Sequence, residues 1–321
     1  MVLESLIGEK NIRKHPLYIL LITFVISFGS IIAAYNIFPT HASVLSVAFI
    51  TIGLIPIVHN ILTKEEYEEA IERKSAMTFF ARHFNLILIY ILIFVGVIFA
   101  FSTAHIVFPG EVSAVLFEEQ INSFCFMQPG ACEQGVPLSI TAQATAVSDL
   151  DYCRNTSVQD PFACSFVIFK NNAEVLIFII ILSLLYGAGA IFIIAWNASI
   201  LGLFFGEMIL TFEYGKAFSF AIAMIIGHGA SELFAYVFGA LAGAILSAMV
   251  SRGQFLSHEF SIIVKDVLFL AGLAFFSIAY GALAEGLAIV GFADFSVIMG
   301  FIYLLVIIIL VFLYGTKKIK K

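Results

Sequence analysis

Long apolar stretches separated by short polar ones set the pattern of this chain. The first runs from Pro16 to about Phe38, and others follow at about 42–62, 85–105 and 173–196. Each reaches the ~20 residues that a helix needs to cross a hydrocarbon core. None alternates with the period of two expected of a barrel strand. The first stretch is too long for a signal-peptide core and lacks a cleavage site, so it reads as a retained signal-anchor. A turn is expected at Pro39-Thr40-His41 before the second span. TKEEYEEAIERKSAMTFFARHF, 63–84, reads as a separate charged cytoplasmic helix. Its Glu65, Glu66, Glu68 and Glu69 suit a helix N-terminus. The fourth span, about 173–196, ends at the only tryptophan, Trp196, an interfacial anchor.

From Asn197 to Val250 the chain is nearly all apolar, broken by Glu207, by Glu213-Tyr214-Gly215-Lys216 and by Gly227-His228-Gly229. Two clear spans follow, about 266–290 and 295–315. Placing the basic tail on the inside requires 197–250 to cross zero times or twice. A broken, re-entrant pair of half-helices, interrupted at Gly227-His228-Gly229, is the preferred reading. Such backbone is tolerated at membrane depth only where protein buries it or water lines it. Two full crossings are the alternative. The expected fold is therefore all-α: a polytopic helical membrane protein with about six full spans, a re-entrant pair and an extracytoplasmic insert.

Composition agrees. The chain is 61% hydrophobic and 12% charged, about half the charged fraction of a soluble domain. The net charge of −6 is less informative than its distribution. Lys/Arg collect at Lys10, Arg13 and Lys14, at Lys64, Arg73, Lys74 and Arg82, at Lys216, Arg252 and Lys265, and at Lys317, Lys318, Lys320 and Lys321. Only Arg154 and Lys170 fall in 106–172, which carries seven acids and four of the seven prolines. The positive-inside rule then puts both termini in the cytoplasm and 106–172 outside a cell membrane. Three units follow: a three-span unit at 1–105, the outer segment at 106–172 and a membrane core at 173–321. All four cysteines, Cys125, Cys132, Cys153 and Cys164, lie in the outer segment. Their spacing lacks the close pairs of a zinc site, so one or two disulfides are expected, with three full pairings open. Asn155-Thr156-Ser157 matches a glycosylation sequon.

The chemistry-bearing residues in apolar surroundings are Asn197, Glu207, His228, Glu232 and Glu285. His228 and Glu232, four apart, share a helix face, and a carboxylate and an imidazole there could offset each other's desolvation. Intramembrane acids are functional candidates by default. Two readings stay open: a hydrogen bond that pins the helix break, or a polar core that handles protons or ions. A metal site would need a further ligand from Glu207 or Glu285, and no metal or cofactor is expected. Neither H-E-x-x-H nor a recognisable nucleophile motif is present, so no enzyme activity is expected. Gly202, Gly206, Ser231, Ala235, Gly239, Gly243 and Ser247, with Gly272 and Gly281, read as packing positions. From Ser231 on, a small residue recurs at every fourth position, the small-xxx-small pattern of close helix packing.

Two blocks resemble the stage II sporulation protein M family: Asn197-Ala198-Ser199-Ile200-Leu201-Gly202, and His228-Gly229-Ala230-Ser231-Glu232-Leu233-Phe234-Ala235 followed by Gly239-Ala240-Leu241-Ala242-Gly243. The opening MVLESLIGEKNIRKHPLY is similar to archaeal members. The resemblance covers most of the chain, with 106–172 an insert of a subset, and Phe234 stands where many relatives have proline. The resemblance implies an integral membrane component of an envelope-remodelling machinery that works with peptidoglycan-degrading partners and is not itself a hydrolase. The expected function is a non-enzymatic scaffold that positions membrane or envelope proteins; the alternative is a transporter or channel using the His/Glu polar core. The expected partners are the bilayer and such proteins, with self-association open and no nucleic acid.

Overall fold

The computed structural model describes residues 17–72, 79–127, 160–211, 222–251 and 258–315, and every regular element among them is helical. Helix α1 (Leu17–Ile37) meets α2 (Ala42–Glu72) through a 3-10 turn at Pro39–His41, where the turn was expected. α2 runs on through Pro56 to Glu72. The charged stretch from 63 therefore extends a long helix instead of forming its own, and 79–84 opens α3 (Phe79–Val107). The physical reason is that Thr63–Glu72 holds good helix formers and no glycine or proline to stop propagation.

Two short helices follow α3: α4 (Gly110–Leu116) and α5 (Glu118–Met127). Helix α6 (Pro161–Tyr186) begins well before the expected start near 173. Asp160 Oδ1 accepts from Phe162 N–H at 2.9 Å and Pro161 occupies the first turn, a strong start signal. The helix ends where Gly187 adopts φ 64°, left-handed backbone that glycine takes without strain. The chain reverses over 187–190 into α7 (Ile191–Thr211), so Trp196 lies within a helix and not at the end of a span.

The expected break at Gly227-His228-Gly229 is absent. Ile225–Gly229 forms one π-helical turn that leads directly into α8 (Ala230–Ser251). A π turn inserts an extra residue without ending the helix. Ile222–Ser251 is thus one apolar helix of 30 residues, about 45 Å long at 1.5 Å per residue. The re-entrant pair gives way to two helices, α7 and α8, each long enough to cross. With α9 (His258–Ile289) and α10 (Ala293–Gly315), eight helices among the described residues are long and apolar enough to span a membrane.

The eight sort into two bundles. α1, α2, α3 and α7 pack together, and so do α6, α8, α9 and α10, with α3 touching α8 and α10. The consecutive helices α6 and α7 are therefore exchanged between the halves. Close approaches give the directions. Positions 202 and 206 of α7 lie against Phe101 and His105 of α3, so these two helices are parallel. Positions 239 and 243 of α8 meet Leu176 and then Ile180 and Ser183 of α6, again parallel. α9 and α10 are antiparallel, with Ser277 Oγ 2.7 Å from Tyr303 Oη and Tyr280 Oη donating to Met299 O at 2.7 Å.

Small residues set these seams. A Cβ at Gly243 would run into the Ile180 carbonyl and Ser183 Cβ, and one at Gly202 would stand 2.7 Å from Phe101 Cβ. Ser231, Ala235, Gly239 and Gly243 are all buried. Gly239 and Gly243 lie against α6, while Ser231 meets Gly281 of α9. Gly272 differs: a Cβ there meets nothing within 4 Å. The outward faces stay apolar, as in Phe178, Leu185, Phe276 and Ile308, which suits contact with lipid.

Candidate functional site

Two polar clusters stand out, one in each bundle. In the second bundle, Asn172 on α6 donates from Nδ2 to Glu232 Oε1 at 2.7 Å. Glu285 on α9 is close enough to Glu232 for the two carboxylates to interact electrostatically, and Tyr236, one turn beyond Glu232, feels both. The close contact between α8 and α9 follows from Gly281, whose Cβ position lies 2.6 Å from Ser231 Oγ and 3.3 Å from Glu232 Cγ. Only glycine lets the backbone of α9 come this near the acid.

His228 lies in the π turn beside this cluster. Its carbonyl accepts from Ser231 Oγ at 2.7 Å, while the partner of the Glu232 carboxylate is the Asn172 amide. The π turn itself is clamped by α10: the Cβ position of Gly227 is 3.0 Å from Ser296 Oγ, and Gly300 packs on the Ile226 carbonyl. Phe234 packs on Tyr303 with ring centroids 6.2 Å apart and planes tilted by 55°. Its role is packing against α10.

The first bundle holds a different arrangement. At the end of α3, His105 Nδ1 lies 2.6 Å from Ser113 Oγ on α4, and its Nε2 lies 2.8 Å from Glu207 Oε2 on α7. Gly206 brings α7 this close, since its Cβ position is 3.1 Å from the His105 ring. Phe117 sits edge-on to the imidazole at 6.2 Å. Serine, histidine and carboxylate in a row have the composition of a nucleophile relay. The serine, however, is only 2% exposed, so no carbonyl can reach its hydroxyl and the row works as a tie. It fastens α4 over the ends of α3 and α7, with Leu116 and Phe117 fully buried beneath and Gln120 Nε2 donating to Ser43 O at 3.1 Å.

Of the residues singled out by sequence, Glu232 and Glu285 come together, with His228 at their edge. Glu207 belongs to the other bundle. Asn197 joins neither cluster, for its amide donates within α7 to Ile193 O at 2.9 Å. Sequence reasoning missed Asn172, Tyr236, His105 and Ser113. Asn172 was placed in the outer segment because the start of α6 was read too late; the Asp160-Pro161 capping signal would have put it on a spanning helix. Among the described residues no group of three or more His, Cys, Asp or Glu could hold a metal ion.

The family profile described as Stage II sporulation protein M matches residues 18–314, a range that takes in both bundles and both clusters. The chain belongs to this family. It is a multi-pass membrane protein of the stage II sporulation protein M family, and the motif block 228–243 is the π turn, the acid and the packing ridge of α8. No curated protein and no solved structure matches the chain.

Proposed function

We propose that this family member is a non-enzymatic scaffold of the cell membrane that positions partner proteins during envelope or membrane remodelling. The observation behind it is the cap formed by α4 and α5, a folded platform pinned to the first bundle by Ser113, Phe117 and Gln120. A rigid platform with Glu111, Val115 and Glu118 exposed holds a partner at fixed orientation to the bilayer. Eight crossings put both termini on the same side and 108–160 on the other; the distribution of Lys and Arg favours the cytoplasm for the termini. The parallel packing of α3 with α7 and of α6 with α8 supports this count, because helices two crossings apart must run the same way. The disulfide belongs to the same proposal: Cys164, buried against Val290 at the start of α6, is not a free thiol. Cys132 and Cys153, like Asn155 and Arg252, lie outside the described residues.

A photo-crosslinking residue at Glu111 or Val115 tests the scaffold in cells. A discrete protein adduct is expected there and not from the lipid-facing Phe178; no adduct from any cap position sinks the proposal. Topology is tested by Leu210→Cys and Ser251→Cys with the native thiols blocked: opposite sides are expected, and labelling from one side restores the re-entrant reading. Transport is a second reading, favoured by the Asn172–Glu232–Glu285 cluster. An ion flux in proteoliposomes that Glu232→Gln abolishes would establish it over the first.

A further inference from the structure

Helix α6 carries two charges on its outward face, well inside a spanning segment. Lys170 and Glu174 are both exposed and stand one turn apart on the same side of the helix. Counted from Pro161 at 1.5 Å per residue, they lie about 14 Å and about 20 Å along a helix about 39 Å long. A hydrocarbon core of about 30 Å centred on that helix takes in both. The same face is apolar and exposed on either side of them, with Phe166 at 67% before and Ile177 and Ile181 at 46% and 45% after. The two charges are therefore an island in a lipid-facing strip. Asn172, between them in sequence, turns the other way and donates to Glu232 inside the bundle. Elsewhere among the described residues, the exposed charges Glu207, Lys265 and Asp294 each lie within about one turn of the end of a span.

Charged side chains within a membrane span are rare, and they face a bundle interior, a water-filled cavity or one another. Among the described residues, neither Lys170 nor Glu174 has an ion-pair or hydrogen-bond partner within the chain. Lysine before glutamate is also the less favourable order for a pair within one helix. Their partner has to come from outside the bundle. A face with one cation and one acid a turn apart is complementary to itself. Two copies in one bilayer share an orientation, so a two-fold axis along the membrane normal sets their α6 helices side by side and parallel. Side chains lean toward the helix N-terminus, which carries the Glu174 carboxylate of one copy back toward the level of Lys170 on the other. The axis repeats the contact and leaves no charge over. We propose that the outward face of α6 is the interface of a homodimer, held by reciprocal Lys170–Glu174 ion pairs between two copies of this chain and closed by Phe166 and Ile181. The surface is separate from the α4–α5 cap, so the dimer presents two caps on one side of the membrane whether or not the cap holds a partner.

The test mixes donor- and acceptor-labelled copies of the full chain in phosphatidylcholine vesicles and follows energy transfer against the protein-to-lipid ratio. The wild type is expected to rise to a plateau well above the background of randomly placed copies. Lys170→Leu combined with Glu174→Leu makes the span more apolar, so insertion is not at risk. This variant should keep the wild-type melting temperature and raise the ratio for half-maximal transfer at least tenfold. Lys170→Glu and Glu174→Lys should each lose transfer alone and recover it when mixed with each other, because the mixture again sets cation against acid. Damage to the fold cannot produce that rescue. Background transfer from the wild type at every ratio overturns the proposal, as does a leucine variant that associates like the wild type. No recovery in the mixture of two folded variants overturns the ion pairing. A photo-crosslinking residue at Ile181 in cells should give an adduct of twice the chain mass; an adduct with another protein, or with lipid alone, overturns a second copy as the occupant.

Discussion

The two bundles solve the same problem, a carboxylate on an apolar helix, in opposite ways. In the first, Glu207 is at the helix end, 50% exposed, and meets the His105 imidazole. In the second, Glu232 is within the three-helix contact of α6, α8 and α9 and meets a neutral amide. Where water reaches, an acid and a base can pair at little desolvation cost, and the pair serves as a tie between elements. Where it does not, two opposite charges would have to be desolvated together. The amide orients one carboxylate and leaves the charge for something else to balance. The first arrangement fastens two elements, and the second orients a single acid within a helix seam.

The comparison presumes that both bundles hold their helices at glycine distance, and its most severe test is to remove that. Leu at 243 would force α8 from the Ile180 carbonyl and separate Asn172 from Glu232. Gly243→Leu is expected to destabilise the protein by about 3 kcal/mol or more, the upper range for overpacking, and to abolish the folded peak in size-exclusion chromatography. Gly272→Leu, with nothing within 4 Å of its Cβ, is the control and should migrate as wild type. Equal damage from both would mean that glycine content, not the seam, matters.

The next test separates the clusters. Asn172→Leu leaves Glu232 without its donor in a seam and should cost about 2 kcal/mol, the range for stranding a buried polar group, read as a fall in melting temperature. The loss should shrink in Glu232→Gln,Asn172→Leu relative to the sum of the single changes, since contacting residues are not additive. Additive losses would show that the two side chains do not act together. In the first bundle, Ser113→Ala removes one bond of the tie and should cost about 1 kcal/mol. Its effect should be local: faster amide exchange over 110–117 with the spanning helices unchanged.

How much of this was legible in the sequence follows from what each feature depends on. The membrane class and the α1–α2 turn rest on local composition and spacing, and the structure has them. Extents went astray where composition does not change at the boundary. Nothing in NNAEVL or GAGAIF marks a helix start or a reversal by hydropathy, so α6 was read late and its end missed; the evidence was in capping chemistry, at Asp160-Pro161, and in Gly187. At GHG the reading of two glycines as a break failed because helix packing overrode local propensity. Ser296 and Gly300 of α10 clamp the turn from outside, a contact some seventy residues away in sequence. The partner of Glu232 was illegible for the same reason. Its pairing with His228, four residues before it, is a local inference, and Asn172 comes from another helix sixty residues earlier.

The smallest expected effect is also the one that bears most directly on the difference between the bundles. Glu207→Gln keeps an oxygen within reach of His105 Nε2 and removes only the charge. Because the carboxylate is half exposed, water screens it and added salt screens it further. An exposed pair of this kind contributes about 0.2–1 kcal/mol. The variant should therefore melt within a degree or two of wild type, keep slow exchange over 110–117, and lose what sensitivity to salt the wild-type cap has. If Glu207→Gln instead matched Asn172→Leu in severity, the histidine would be holding a charge the solvent does not stabilise. Glu207 would then belong with Glu232 as an intramembrane acid, and the contrast between the two bundles would fail. If it is silent while Asn172→Leu is not, the contrast stands on the property that separates the two acids, how far each is exposed.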